Sequence, residues 1–394
     1  MGLPAMGLAT PLGSSHSAVA ARLFGGDRSG LVARDDLLPG RMVYVGACSE
    51  PLPLLPDDMR AFDCRNNRLM LAATLQIGDA VRRAARRYGR SRVAVVLGTS
   101  TSGIAEAEAA FAARQGEGAW PSGFDYRQQE AGSLATFIAA AFDLAGPVYV
   151  VTTACSSSAK VFASARRLIE AGFCDAAIVG GADTLCRMTL GGFDALGALS
   201  RGLCNPFSRH RDGINIGEAA AAFLLTQEPA AINLLGVGEG SDAHHISAPD
   251  PSGAGARAVM QAALLDAGLG PDQIAYVNLH GTGTNLNDAM EALAMQAVFG
   301  APVPCSSTKA MTGHTLGAAG ACEAAFLWLS LDRTSNPAGQ LPPHLWDGAA
   351  DPALPPLRFV HAGDRLPAPQ GPVAMLSNSY AFGGSNAALI LGRP

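Results

Sequence analysis

Lysine is almost missing from this chain of 394 residues. Of its 28 basic residues only Lys160 and Lys309 are lysines, leaving 26 arginines. A sequence so committed to arginine is expected to keep lysine where a compact ammonium does what a planar guanidinium cannot. Charge is sparse as well: 15% of residues are charged and the net charge is -5, which excludes the basic footprint of a general nucleic-acid binder. The cysteines at 48, 64, 155, 174, 186, 204, 305 and 322 include no CxxC pair and no metal-ligand spacing. Neither a disulfide framework nor a catalytic metal is expected, and reduced thiols in a cytoplasm are. The most apolar stretch, 134–154, is interrupted by Asp143 and Pro147, so no segment of about 20 lipid-compatible residues is present. The start, Met1 to Gly7, lacks the charged lead and long apolar core of a secretory signal. What abounds is core material, with 48% hydrophobic residues.

Apolar runs and helical stripes alternate, the pattern of layered α/β architecture. Strands are expected at 92–99, 147–151, 175–182 and 274–279, and helices at 68–88, 159–170, 255–267, 288–299 and about 315–331. Residues 219–225 and 231–237 look like a strand pair closing a first half. Residues 335–372, rich in Pro and Gly, are expected to wander over the surface before a last strand pair at 373–377 and 387–391. Asp288 with Glu291 resembles a capping box. The two halves share a strand–loop–helix rhythm.

Four junctions carry chemistry-bearing residues. Cys155, in Thr152-Thr153-Ala154-Cys155-Ser156-Ser157-Ser158-Ala159-Lys160, stands where a strand gives way to a small-residue helix. A first-turn position beside unpaired N–H groups is expected to lower a thiol pKa and favour the thiolate. A buried structural cysteine is the commoner fate of a free thiol, so the position alone leaves the question open. His280 opens His280-Gly281-Thr282-Gly283-Thr284 at a strand end, where glycines admit a substrate and hydroxyls can fix a ring. His314 ends Lys309-Ala310-Met311-Thr312-Gly313-His314 before an Ala/Gly-rich helix that must pack closely on something. Glu323, in that helix, needs a buried partner, and Lys309 is the natural one. In Asn378-Ser379-Tyr380-Ala381-Phe382-Gly383-Gly384, backbone N–H groups could serve an oxyanion, although an ordinary hairpin turn reads the same way. One cysteine and two histidines suit a nucleophile with two neutral donors aimed at an enolate. A Cys–His–carboxylate hydrolase would need a single base and its orienter.

Together these motifs, with Asp288, Asn205-Pro206-Phe207-Ser208, Arg211-Asp212-Gly213 and Asp242-Ala243-His244-His245, resemble the elongating β-ketoacyl-acyl-carrier-protein synthases along nearly the whole chain. The resemblance implies a thiolase-like α/β fold, duplicated halves in a five-layer α/β/α/β/α arrangement, with 1–237 carrying the nucleophile and 238–394 both histidines. It implies that Cys155 takes an acyl group from an acyl carrier protein. His280 and His314 then hold a malonyl thioester through decarboxylation, in fatty-acid, polyene or polyketide-type synthesis. Lys309 and Glu323 would order the histidine loop, and Thr282, Thr284 and Asp288 would support the site. The N–H groups of Cys155 and Phe382 would bind the oxyanion, with the Phe382 ring as a gate. No cofactor is implied. The partners implied are acyl- and malonyl-loaded carrier protein and a second, identical or ketosynthase-like subunit. The same fold serves non-catalytic partner subunits, which are expected to lack the nucleophile. Tyr380 and Ala381 stand where the family usually has Phe and Gly. Thr101 and Ser102 fall where pocket-lining residues do, which suggests a short, unsaturated or partly polar acyl group. The arginines at 82, 83, 86, 87, 90 and 92, with Arg65 and Arg68, are weak candidates for carrier contact.

Overall fold

The computed structural model describes residues 1–301, 303–366 and 371–394. Two sets of five strands repeat one plan. The first runs across the sheet as Val148–Val151, Val93–Gly98, Ala176–Asp183, Ala219–Thr226 and Gly2–Ala9. Its first three strands are mutually parallel, and each of the last two is antiparallel to the strand before it. The second set is Pro304–Ser306, Ile274–Asn278, Val373–Tyr380, Ser385–Arg393 and Asn233–Ser241, with the same senses. Counted along the chain, both use the order third, second, fourth, fifth, first. The short strand Arg358–Phe359 extends the outer edge of the second set. The sets meet where Gly2 pairs with Asn233.

Between the sets lie the helices Ser157–Glu170 and Ala319–Leu331, which share a core with strands of both. They approach closely because small residues face each other. A Cβ added to Gly320 would stand 2.7 Å from the Ala159 nitrogen. The Ala/Gly-rich helix that follows His314 therefore packs on the helix that follows Cys155. Outer helices complete the layers: Arg65–Gln76 and Ser133–Ala141 cover the first set, while Ala254–Ala267 and Asn285–Phe299 cover the second. The arrangement is α/β/α/β/α.

Several expected elements are corrected. The helix foreseen over 68–88 is two, Arg65–Gln76 and Gly78–Tyr88, broken at Ile77. There Ile77 turns inward, and the Gln76 amide bonds both the N–H and the carbonyl of Leu8 at 3.2 and 2.7 Å. The strands near 219–225 and 231–237 do not pair with each other. Gly2–Ala9, eight residues long and buried at six positions, lies between them. The division expected at 237/238 falls inside the strand Asn233–Ser241. The helix expected from 288 begins at Asn285, so Asp288 is not its cap. Most of 335–366 is irregular, as expected, and 367–370 lie outside the described residues.

Candidate active site

The strand Val148–Val151 delivers the chain to Cys155 through a tight bend. Ala154 has φ of 50°, a conformation few non-glycine residues adopt, and the Ser157 hydroxyl donates to its carbonyl at 2.6 Å. The helix begins only at Ser157, so Cys155 precedes the first turn rather than lying in it. Its thiol is buried, and burial pushes its pKa up to about 11 against the lowering effects of the Lys309 charge and of the N–H groups of Phe382 and Cys155 itself. The lowered pKa expected from the sequence is thus reversed, because desolvation of a thiolate outweighs a helix end that stops short of it.

His280 follows the strand Ile274–Asn278. Its backbone N–H and that of Gly281 both donate to the Glu291 carboxylate, at 2.8 and 2.7 Å. Gly281 has φ of 36°, and a Cβ there would stand 2.6 Å from that of Ser307, so the loop cannot accept a side chain. The Lys309 ammonium donates to the His280 carbonyl at 2.5 Å, lies 3.4 Å from His280 Nδ1 and pairs with the buried Glu323 carboxylate. An ammonium only donates, so this contact makes Nδ1 the acceptor and leaves the ring proton on Nε2. His314 is fixed by its backbone: its N–H donates to Asn215 at 2.7 Å and its carbonyl accepts from Gly217 at 2.9 Å. Burial first, then the Lys309 charge, holds both imidazoles well below the usual histidine range, so both are neutral at pH 7. Their ring centroids are 5.2 Å apart and nearly perpendicular.

Cys155, His280 and His314 line one cavity of about 310 Å³, with Thr282, Thr284, Tyr380 and Phe382 also on its wall. The two threonine hydroxyls bond each other at 2.9 Å. The Phe382 ring is 38% exposed and rests on Phe193, with centroids 5.5 Å apart. Asp288 lies off the cavity, buried, accepting the N–H groups of Phe207 at 2.7 Å and Gly283 at 3.2 Å. Lys160 is half-buried and donates to Ser385 at 2.7 Å.

One other expected placement differs. Thr101 and Ser102 are not on the cavity wall; their hydroxyls donate to Asp183 at 2.7 Å and to Glu130 at 2.9 Å. Arg82, Arg87, Arg90 and Arg92 pair with Asp79, Glu228, Asp143 and Asp175, while Arg65 and Arg68 pair with Glu218 and Asp63. Sequence reasoning missed Asp183 and took Glu291 for a capping residue. An acid ending the apolar run Ala176–Asp183 was the available signal, since a buried carboxylate requires donors. Among the described residues no helix is long and apolar enough to cross a membrane.

Fold and site together point to one family of enzymes. The chain belongs to the β-ketoacyl synthase family: residues 56–231 match its N-terminal domain and 232–343 its C-terminal domain. A 3-oxoacyl-[acyl-carrier-protein] synthase 2 from Coxiella burnetii is 35% identical over 271 residues, and the match spans 64% of this chain and 63% of that protein. Among solved structures, a ketosynthase in complex with its chain length factor from Xenorhabdus doucetiae is 46% identical. It superposes with a TM-score of 0.93 over 100% of this chain and 97% of that one. A β-ketoacyl synthase from Burkholderia phymatum gives 30% identity and a TM-score of 0.86 over 100% and 98%.

Proposed function

We propose that this protein is a 3-oxoacyl-[acyl-carrier-protein] synthase, joining a Cys155-bound acyl group to malonyl-carrier protein with loss of CO2. The observation that carries the proposal is the shared cavity of one thiol and two neutral imidazoles. In the first half-reaction the Cys155 sulfur attacks the carrier thioester, and the thiol proton ends on the departing carrier thiol. In the second, His280 and His314 donate to the malonyl thioester oxygen, so the electron pair released with CO2 collects as an enolate. Neutral imidazoles donate without the desolvation cost that a buried imidazolium would carry. The enolate carbon attacks the acyl-cysteine. The resulting oxyanion faces the N–H groups of Cys155 and Phe382, and its collapse expels the Cys155 thiolate, which takes up a proton. Lys309 and Glu323 hold His280 in its Nε2–H tautomer, Thr282 and Thr284 line the approach, Asp288 braces the glycine loop, and the Phe382 ring covers the mouth. The nucleophile comes from one half and both histidines from the other, divided in the connection before Asn233.

Trapping tests this directly. Incubation with mixed acyl-carrier substrates should leave an acyl group on Cys155, identified by peptide mass spectrometry; acylation elsewhere refutes the mechanism. The resting thiol makes a second expectation. Iodoacetamide labelling of Cys155 should quicken about tenfold per pH unit from pH 7 to 9, because a thiol titrating near 11 is still mostly protonated there. A plateau by pH 8 would show a resting thiolate instead.

The likeness to a ketosynthase that pairs with a chain length factor favours a heterodimer in which this chain is the condensing subunit, since it keeps Cys155. Native mass spectrometry of the chain made alone and with a cysteine-lacking homologue should show the mixed dimer dominating. A stable, fully active homodimer would reject this arrangement.

A further inference from the structure

The loops around the cavity contain much of the strained backbone. Of six non-glycine residues with positive φ among the described residues, Ser102, Ala154 and Leu316 lie in the three segments that meet beside the cavity. Such conformations persist only where their surroundings over-determine them. One side chain touches or tethers all three segments.

Asp183, fully buried at the end of its strand, accepts five hydrogen bonds from two segments, and the first of these is tied to the third. Its Oδ1 receives the Thr99 hydroxyl at 2.8 Å, the Ser100 N–H at 2.8 Å, and both the N–H and hydroxyl of Thr101 at 2.7 Å. Its Oδ2 receives the Ala318 N–H at 3.1 Å, beyond Leu316 on the loop that follows His314. The Ser100 hydroxyl reaches the Ala154 carbonyl at 3.3 Å, and the Thr99 hydroxyl accepts the Ser102 N–H at 3.0 Å. Gly317 passes so near that a Cβ would stand 2.8 Å from Asp183 Oδ2 and 2.5 Å from the Ser100 hydroxyl. Burial pushes the Asp183 carboxyl up, and the five groups that donate to it act in the other direction, favouring the ionised, acceptor-only form.

We infer that Asp183 is the positioning residue of this site: its carboxylate clamps the loop behind Cys155 and the loop after His314 into one fixed relation. The inference rests on the proposed condensing activity for its purpose, but not for its geometry. Its charge has a second effect. The titratable groups around Cys155 are Lys309 and Asp183 and, on the cavity wall, His280, His314, Tyr380 and Asp212; Lys309 favours the thiolate and Asp183 opposes it. Asp183 thereby adds to the burial that keeps the resting nucleophile a protonated thiol.

Two variants separate the positioning role from bulk stability. Asp183→Asn should cut malonyl decarboxylation at least about tenfold while raising the iodoacetamide labelling rate of Cys155 at pH 8 about threefold or more, since a negative charge beside the thiol is gone. Because looser packing would also expose the thiol and speed labelling, the denaturant unfolding midpoint is measured alongside, and the inference requires faster labelling in a variant whose midpoint is unchanged. Thr101→Val keeps the charge and removes one donor, so CO2 release should fall about threefold with the labelling profile unmoved. Asp183→Asn protein with CO2 release within about twofold of the parent and an unchanged profile overturns the inference. If that variant does not fold, Thr101→Val decides: an unchanged CO2 rate overturns it and a fall upholds it. A parent protein with no decarboxylating or condensing activity sinks the proposed function, yet leaves the labelling profile as a test of Asp183.

Discussion

Cys155→Ala is expected to abolish condensation, by at least about 10⁴-fold, while sparing malonyl decarboxylation to within about tenfold. The two outcomes diverge because the groups involved come from different parts of the chain. Cys155 is the one thiol among the residues lining the cavity, whose other polar side chains are imidazoles, hydroxyls, amides and the Asp212 carboxylate. The donors that hold an enolate are His280 and His314, fixed by Glu291, Lys309 and the Asn215 carbonyl, none of which leans on the Cys155 sulfur. Measuring CO2 release and 3-oxoacyl product in one reaction distinguishes the half-reactions. Equal loss of both would place the thiol in decarboxylation itself.

Lys309→Met is expected to lose stability and decarboxylation together, and a second substitution should pull them apart. Lys309 and Glu323 form an ion pair with each side chain at most 4% exposed. Removing one partner of such a pair costs about 3–5 kcal/mol. Glu323, already pushed up to about 7 by burial, recovers part of that by taking a proton. The Lys309→Met, Glu323→Leu double variant replaces the pair with apolar packing and should regain most of the stability, as read by denaturant unfolding. It should not regain CO2 release, expected about 100-fold down, because His280 has lost the donor that fixes its tautomer. Full catalytic recovery in the double variant would make the pair purely structural.

Much of this was legible in the primary structure. Cys155, His280 and His314 each stand at a strand end or helix start, and glycines mark where the backbone turns sharply. Those local signals survive folding because they are properties of single junctions. What was lost depends on distant partners. Nothing near Ile77 announces that Gln76 will grip Leu8, so a continuous helical stripe concealed a break. Residues 219–226 and 233–241 are neighbours in sequence, but the N-terminal strand stands between them, pairing six of its residues with 219–226. The thiol pKa went the wrong way because a motif shows the helix start and not the depth of burial. Thr101 and Ser102 sat at the right height in the chain, yet their hydroxyls were already committed to Asp183 and Glu130. Asp183 itself collects donors from residues 99 to 101 and from 318, a convergence that only the assembled strands create.

The repeated strand plan has a mechanical corollary. In the first set the second, third and fourth strands lead to Thr99, Cys155 and Asp183; in the second set their counterparts lead to His280, the Lys309–His314 turn and Phe382. Equivalent positions in an ancestral unit and its copy thus carry different tools, facing each other across a seam of two interlocked helices. A small pivot of one copy against the other would retune the sulfur-to-imidazole span without distorting either. Selection for a new acyl group could therefore work on the seam, far from any residue that touches the reaction.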